Sequence, residues 1–524
     1  MSHTVLPPLI SVPGLGFQLD FSGIPQDPAA ETTILAKFPG VFDAMKQLEA
    51  GAIANPDEQR MVGHYWLRDA ALAPRPELQM AIKSTLARLQ AFGAAVRSGR
   101  VGPRPGASFT RVLHIGIGGS ALGPQLATDC LANPGDPLAV EFLDNTDPEG
   151  LARAFSRLGE ALRDTIVVVV SKSGGTPETR NGMLEAVAHL KALGCDHAKQ
   201  MVAITGEGSE LESVAKREGW LEIFPMWDWV GGRTSQTSAV GLVTMSLLGH
   251  DVDGFLDGAR RMDAVTRLPD VAQNPAARIA MAWHLATRGR GEKAMVVLPY
   301  RDRLLLMSRY LQQLVMESLG KEKDLDGATV EQGIAVYGNK GSTDQHAYVQ
   351  QLRDGTNDFF VTFIAALHDR NGARAREVEP GVTCGDYLLS FLLGTRRALM
   401  DKGRACLTIT MPEVSATTLG ALIALFERSV GFYANLVNVN AYHQPGVEAG
   451  KKAAAAILKL QGALLTTMRG QAGTMRSAAE WAASAGHADA AIESLWLLEH
   501  LAGTPTRGVK RQGDTGAINA LFGV

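Results

Sequence analysis

The amino-acid sequence predicts an α/β protein whose mostly parallel sheets are covered on both faces by helices. Short, nearly continuous apolar runs such as "TIVVVV" and "KAMVVLP" alternate with stretches of helical periodicity. These runs fall into two blocks on either side of a helical stretch. A chain of 524 residues is long enough for several domains of roughly 150 residues each. We therefore expect two α/β units in one chain.

The chain divides into five segments. The predicted segments are an irregular and helical N-terminal part (1–105), a first α/β domain (106–250), a helical connector (251–291), a second α/β domain (292–470) and a C-terminal helical appendage (471–524). The appendage is predicted as a helical pair that bends near Gly486 and superficially resembles a DNA-binding helix-turn-helix. Because basic and acidic residues are nearly balanced, a helix pair packed on the core is favoured.

Composition argues against several function classes. Fifty-one basic and 54 acidic residues leave a net charge of −3, which gives no electrostatic basis for binding nucleic acid or a membrane surface. The four cysteines lack metal-site or disulfide spacing, which is typical of a cytoplasmic protein. The N-terminus lacks the basic region of a signal peptide, and no apolar run suits a transmembrane helix. No metal-binding motif appears, so a mechanism without metal or cofactor is favoured.

The stretch "SKSGGTPET" follows a buried apolar strand and predicts an anion-binding loop. Ligands of parallel sheets bind beyond the carboxyl ends of the strands, and a helix that starts near Pro177 would direct its free N–H groups at the loop. The loop supplies hydroxyl donors and glycines at Ser171, Ser173, Gly174, Gly175 and Thr176. Lys172 is a candidate ligand too, although side-chain alternation would equally point it away. An ordinary Ser/Gly turn is the alternative.

A second glycine turn, "GIGGSALG", follows the predicted strand "RVLHI". Its spacing matches the dinucleotide fingerprint G-x-G-x-x-A, and Asp144 lies downstream as a ribose ligand, so a dinucleotide oxidoreductase remains an alternative. A single match of this kind is weak evidence. The second anion loop two strands later, together with the Ser120 hydroxyl, favours a small polar ligand near Gly119 and Ser120.

Four charged residues are candidates for catalysis. Arg233 follows two glycines and could clamp an anion, while Glu317 lies among apolar residues of a predicted helix at 310–324 and suits general-base work. His346 follows a Gly/Ser/Thr loop, and Lys451 lies in "GVEAGKK", which is one residue short of a Walker loop. Each residue also has a purely structural explanation. Arg233 could form a surface ion pair, Glu317 could lie on a helix surface, His346 could be a structural histidine and Lys451 could be solvated.

Together these segments resemble the glucose-6-phosphate isomerase (phosphoglucose isomerase) family. The motifs "GIGGSALGP", "SKSGGTPET", "VGGRTS", "MESLGK", "GSTDQHA" and "HQPGVEAGK" occur in that family's order between about 115 and 451. "SKSGGTPET" alone identifies only the wider sugar-isomerase (SIS) class. The motifs that contain the arginine, glutamate, histidine and lysine narrow the resemblance to this one family. The resemblance implies two SIS-type α/β/α sandwich domains, helical N- and C-terminal extensions and a homodimer. It also implies reversible isomerisation of glucose 6-phosphate and fructose 6-phosphate through ring opening and a cis-enediol(ate).

The resemblance further implies a role for each candidate. Glu317 would be the base that moves a proton between C2 and C1, and Arg233 would stabilise the enediolate. His346, contributed by the neighbouring subunit, and Lys451 would assist ring opening. The implied substrate-binding residues are Gly119, Ser120, Ser171, Lys172, Ser173, Gly174, Gly175, Thr176, Gln313 and Gln444.

Two departures from the family pattern are visible. The glycine pair in the phosphate loop replaces an aromatic or threonine-rich version, and Pro445 replaces an aromatic residue beside Gln444. We expect altered packing there and unchanged chemistry. A non-catalytic phosphosugar sensor would need the loop but none of the four charged residues. The sequence leaves open whether mannose 6-phosphate is also a substrate.

Overall fold

The structure is a computed structural model that describes residues 6–369 and 376–524. Residues 1–5 lie outside the described residues. They begin the N-terminal stretch for which the sequence predicts no signal peptide. The chain divides into a larger unit that ends at His443 and a smaller unit that begins at Gln444. Within the described ranges, no helix has the length and apolar character needed to cross a bilayer.

Helices and strands alternate along most of the chain. The α-helices are α1 (Pro28–Leu35), α2 (Phe38–Glu49), α3 (Pro76–Arg97), α4 (Leu122–Leu131), α5 (Pro148–Leu158), α6 (Pro177–Ala192), α7 (Glu210–Glu218), α8 (Ala239–Leu247), α9 (Val252–Thr266), α10 (Pro275–Thr287), α11 (Met307–Leu311), α12 (Val349–Asp354), α13 (Cys384–Met400), α14 (Ala416–Leu436), α15 (Pro445–Gly470), α16 (Ala478–Ser484) and α17 (Ala491–Ala502). The strands are β1 (Leu9–Val12), β2 (Phe17–Gly23), β3 (Ile53–Asn55), β4 (Arg60–Met61), β5 (Arg111–Ile115), β6 (Ala139–Leu143), β7 (Thr165–Val170), β8 (Met201–Thr205), β9 (Glu222–Pro225), β10 (Ala294–Pro299), β11 (Lys321–Lys323), β12 (Thr329–Gln332), β13 (Val336–Tyr337), β14 (Phe359–Ala366), β15 (Glu377–Glu379), β16 (Val382–Thr383), β17 (Cys406–Met411), β18 (Arg476–Ser477), β19 (Lys510–Gln512) and β20 (Leu521–Gly523).

The first large sheet has five strands in the order β6-β5-β7-β8-β9, and all neighbours are parallel. Every residue of β7 and β8 is buried, which explains why these strands appear in the sequence as continuous apolar runs. The loops that follow β5 and β7 leave the sheet at the same edge, because the two strands run in the same direction. This edge carries both predicted ligand loops.

The second large sheet has six strands in the order β1-β2-β17-β14-β10-β13. Strands β13, β10, β14 and β17 are parallel, whereas β2 pairs antiparallel with β17 and β1 pairs antiparallel with β2. Phe17 and Leu19 are fully buried, in an alternating burial pattern along β2. The sequence predicts irregular chain here, so the structure differs in giving residues 9–23 two strands.

Helices α9 and α14 pack closely in the larger unit, and α14 is buried along almost its whole length. A Cβ atom on Gly258 would overlap the backbone of Thr417, and one on Gly420 would overlap the backbone of Phe255. Glycine at these two positions therefore permits the close approach of the helices.

A cluster of buried charges joins α2, α9 and α14. Arg68 donates to the Asp263 carboxylate at 2.8 and 2.9 Å and also pairs with Glu427. Arg428 pairs with Glu49 and lies 4.0 Å from the Tyr65 ring centroid. Buried charges of this kind are tolerated only when paired, and removal of one partner typically costs about 3–5 kcal/mol.

The smaller unit has its own core, built by α15, α16, α17 and a short sheet of β18, β20 and β19. Trp481 is fully buried in it and donates its indole N–H to the Phe522 carbonyl at 2.7 Å. Leu464 and Met468 of α15 pack into this core, so the unit begins at Gln444, ahead of the boundary predicted near 470. Helices α16 and α17 are separated by the predicted bend near Gly486.

Candidate active site

The phosphate-loop candidate lies between β7 and α6. Ser171 Oγ accepts a hydrogen bond from the Gly174 N–H at 3.1 Å, and Ser173 Oγ accepts from the Gly175 N–H at 3.2 Å. Thr176 is the N-cap residue of α6, and its side chain makes no capping hydrogen bond. The loop therefore presents hydroxyls beside the free N–H groups and positive dipole end of a 16-residue helix.

Gly174 is the one loop position where the backbone requires glycine. Its φ is +78°, and a Cβ atom there would lie 2.4 Å from the Leu211 amide nitrogen. The loop thus packs directly on the start of α7, which no larger residue would allow.

The side chain of Lys172 reaches the segment that leads to Arg233. Its ammonium donates to the carbonyls of Asp228 and Val230 at 3.2 and 3.4 Å. Burial and the neighbouring charge of Arg60 lower the pKa of Lys172 below its ordinary value. Its backbone carbonyl accepts from the Gly206 N–H at 3.0 Å, which ties the loop to the end of β8.

The first glycine turn forms a short 3-10 helix, Gly118–Ser120, directly after β5. A Cβ atom on Gly119 would overlap the backbone of Gly232, so glycine lets this turn contact the turn that carries Arg233. The Ser120 carbonyl accepts a hydrogen bond from His114 Nε2 at 2.7 Å. Burial lowers the pKa of His114 to about 4, so its imidazole is a neutral structural donor.

Arg233 is 4% exposed, and its guanidinium is held from several sides. Its Nε donates to Ser318 Oγ at 2.8 Å, and its Nη1 lies 3.1 Å from Glu317 Oε2. Its Nη2 donates to the carbonyls of Ala441 and His443. Burial lowers the pKa of Arg233, and the Glu317 carboxylate opposes that shift. The arginine is therefore a rigid cation beside a carboxylate.

Glu317 ends a π-helical segment, Gln312–Glu317, that continues α11. π-Helical turns are rare and concentrate at functional sites. The Glu317 side chain is 21% exposed, and its carboxylate lies 3.1 Å from Arg233, so the side chain is partly accessible beside a buried cation. The amide of Gln313, one turn earlier, lies 3.2 Å from where a Cβ atom on Gly118 would be. The segment thus connects Glu317 with the first glycine turn.

The predicted helix at 310–324 is shorter in the structure. The helical segment ends near Leu319, and Lys321–Lys323 forms strand β11, paired with β12. Sequence reasoning did not single out Ser318, Lys321 or His443, although the first two lie in the quoted motif "MESLGK" and the third begins the quoted motif "HQPGVEAGK". Lys321 is buried, and its ammonium donates to the Glu317 carbonyl.

His346 lies on a 3-10 turn, Thr343–His346, at the surface of the larger unit. Buried Asp344 anchors this turn by accepting from the Asn339 N–H at 2.8 Å and the Tyr348 hydroxyl at 2.6 Å. In the described part of the chain, His346 has no hydrogen bond to Arg233 or Glu317.

Gln444 and Lys451 belong to the smaller unit. Gln444 is the residue before α15, and Lys451 lies in the second turn of that helix. Both side chains are exposed. Among the residues that the structure describes, no group of three or more His, Cys, Asp or Glu residues could hold a metal ion.

Two mostly parallel sheets covered by helices, with a loop rich in glycine and hydroxyl groups at one sheet edge, define an α/β protein. The family described as phosphoglucose isomerase matches residues 22–404 and 394–468. The chain belongs to the phosphoglucose isomerase family.

Named relatives and a solved structure agree with this assignment. The chain is 57% identical over 503 residues to a glucose-6-phosphate isomerase of Thermosynechococcus vestitus, covering 96% of this chain and 94% of the relative. It is 59% identical over 482 residues to one of Geobacter sulfurreducens, covering 92% and 91%. A crystal structure of a glucose-6-phosphate isomerase from Chlamydia trachomatis matches with a TM-score of 0.78 at 27% identity, covering 87% of this chain and 90% of that one.

Proposed function

We infer that this protein catalyses the reversible isomerisation of glucose 6-phosphate and fructose 6-phosphate, a step of glycolysis and gluconeogenesis. The observation that carries this inference is the partly exposed Glu317 carboxylate, 3.1 Å from the buried Arg233 guanidinium. The names of its relatives at 57% and 59% identity support the same reaction. A base paired with a fixed cation suits removal of a proton next to a carbonyl group.

The proposed chemistry moves one proton between carbons and one between oxygens. Glu317 takes the proton from C2 of the open-chain aldose, and the C–H electrons form the C1–C2 double bond of a cis-enediolate. Arg233 stabilises the negative charge that develops on O1. Transfer of the O2 proton to O1 and delivery of the carbon-bound proton from Glu317 to C1 complete the ketose. No external oxidant or cofactor enters this balance.

The phosphate serves as a handle at the edge of the first sheet. We assign it to the hydroxyls and N–H groups between Ser171 and Thr176, with Gly119 and Ser120 nearby. Gln313 and Gln444 are assigned to sugar hydroxyls. Binding energy from the remote phosphate would position C1 and C2 against Glu317, which lowers the entropic barrier to proton transfer. Lys172 is also assigned to phosphate binding, because it lies within the same loop.

Ring opening is assigned to Lys451 and to His346 from a second copy of the chain. The surface position of His346 suits donation across a homodimer interface. Helix α13 supports such an interface, because it exposes large apolar side chains at Tyr387, Leu389, Phe391 and Leu393. Gln345, next to His346, donates to the Phe391 carbonyl and to Thr395, so the histidine turn lies beside this part of α13.

We also propose that the enzyme works in the cytoplasm. Cys130, Cys195, Cys384 and Cys406 form no disulfide with one another in the described part of the chain. Cysteines without disulfides are normal in a reducing compartment such as the cytoplasm.

A coupled assay that follows glucose 6-phosphate formation from fructose 6-phosphate tests the proposal. Wild-type protein should turn over, and Glu317→Gln should lose about 10²- to 10⁴-fold in kcat while still binding substrate. Glu322→Gln, an exposed glutamate on β11, is the matched control and should keep wild-type activity. Absence of turnover at micromolar wild-type enzyme would rule the function out. Substrate binding without turnover would favour the sensor, and bound-nicotinamide absorbance would favour a dinucleotide enzyme.

A further inference from the structure

Lys321 is a buried lysine four residues beyond Glu317. It is the first residue of β11 and is 5% exposed. Removal of an ammonium group from water is costly unless hydrogen bonds and opposite charges compensate for the lost hydration. A lysine at this position therefore requires specific partners, and those partners lie in the candidate active site.

The partner of its ammonium is the main chain of Glu317. Lys321 Nζ lies 2.7 Å from the Glu317 carbonyl oxygen. This carbonyl belongs to the last residue of the π-helical segment, where carbonyls lack partners further along the helix. Gly320 N–H donates to the neighbouring Met316 carbonyl at 2.8 Å, so backbone and lysine together close the helix end. A cation also interacts favourably with a helix C-terminus.

Charged groups face Lys321 from four parts of the chain. Arg233 acts against its positive charge, whereas Glu317 and Asp57 favour it. His443 also faces it, because burial and then the charge of Lys321 lower the pKa of His443. Burial, followed by the charge of Arg233, lowers the pKa of Lys321 to about 7. Below that pH the lysine carries its charge beside the proposed base.

We propose that Lys321 is a positioning residue, which holds the Glu317 main chain in place and thereby fixes the carboxylate against Arg233 and the reacting carbons. This inference rests on the proposed function of Glu317 as the base. Misplacement of a reacting group by about 1 Å can cost about 100-fold in rate, so a fixed helix end has a direct catalytic consequence.

The test compares Lys321→Met with Lys323→Met in the full-length enzyme. Methionine keeps the apolar stem of the lysine but has no donor and no charge, whereas Lys323 is exposed on the same strand. We expect Lys321→Met to lower kcat about 10- to 100-fold and to change KM for fructose 6-phosphate less than about threefold. Lys323→Met should behave as wild type.

A pH profile separates positioning from a merely structural role. Loss of the cation makes proton loss from the neighbouring base harder, so the acid limb of kcat/KM should move to higher pH in Lys321→Met. A variant that only folds less well would have a smaller fraction of active enzyme, but the acid limb of its kcat/KM profile would stay at the wild-type pH. Lys321→Arg keeps the donor and charge and should recover most of the kcat and the wild-type limb, so it tests the proposal even where the methionine variant folds poorly.

A Lys321→Met enzyme with kcat within about twofold of wild type and an unshifted acid limb would overturn the inference, and so would a Lys321→Arg enzyme as impaired as Lys321→Met. If the Lys321 inference failed but Glu317→Gln was inactive, the proposed function would still be supported. An inactive wild-type enzyme would instead remove the proposed function, and this inference with it.

Discussion

The two large sheets of the larger unit contribute different kinds of groups to the candidate site. The first sheet is wholly parallel, and its edge carries the Gly118–Ser120 and Ser171–Thr176 loops, which offer N–H and hydroxyl donors. After β10 of the second sheet come α11 and the π-helical segment, which carry Gln313 and Glu317. Under the proposed function, the first sheet carries the phosphate-binding loops and the second positions the proposed base. Substitutions at the first should affect mainly KM, and those around Glu317 mainly kcat.

The largest expected effect beyond the base itself is at Arg233. Arg233→Lys keeps the charge but cannot reproduce the contacts of the guanidinium with Ser318, Glu317 and two carbonyls. We expect kcat to fall about 10²- to 10³-fold, with a smaller change in KM. Steady-state kinetics with fructose 6-phosphate measure both.

Arg217→Lys is the matched control for this substitution, because Arg217 is 66% exposed on α7 of the first sheet. It should leave kcat and KM unchanged. An Arg233→Lys enzyme with a raised KM and normal kcat would assign the arginine to substrate binding and not to stabilisation of the enediolate.

An intermediate effect is expected at Gly174. Gly174→Ala combines a positive φ of +78° with a methyl group 2.4 Å from the Leu211 amide, so the loop must shift away from α7. We expect KM to rise about tenfold or more, with kcat within about threefold of wild type.

Gly194→Ala separates backbone strain from the contact, since Gly194 has a φ of +72° but open space around it. It should cost a little stability and leave KM unchanged. If Gly174→Ala lowered kcat by as large a factor as it raised KM, the phosphate loop would also influence the position of the reacting carbons.

The smallest expected effect is at Ser173. Its hydroxyl accepts from the Gly175 N–H, and a bound phosphate would gain a further donor from it. Loss of one such hydrogen bond is worth about 1 kcal/mol, so Ser173→Ala should raise KM about three- to tenfold at unchanged kcat. Ser213→Ala, on the exposed face of α7, is the control. If Ser173→Ala and Ser213→Ala had equal KM values, the phosphate would not be bound at Ser173.

Several parts of this architecture could be predicted from the sequence, because their signals are local. Strands β7 and β8 are buried on both faces and appear as nearly continuous apolar runs. Glycine-rich loops directly after β5 and β7 follow from the same pattern. The motif around Arg233 and the motif around Glu317 were predicted to serve one site, and the structure brings these two side chains to 3.1 Å.

Other features carry no local signal. Strand β2 is specified by its pairing with β17, and Thr410 and Gln18 of these strands are 392 residues apart. The π-helical segment contains residues that would equally suit an α-helix, so its wider turn depends on its surroundings. Lys321 stands in the charged run "KEKD", which suggests a solvated lysine, and only the fold buries it.

The long-range pairing of β2 has a consequence for synthesis on the ribosome. Residues 17–23 emerge early, but their partner strand at 406–411 emerges only after most of the chain has been made. At about 5–20 residues per second, the N-terminal hairpin waits on the order of tens of seconds with an unpaired edge. The first sheet, built wholly from residues 111–225, is free to form in that interval. We therefore expect the half of the larger unit that carries the candidate phosphate loops to fold before the half that carries Glu317.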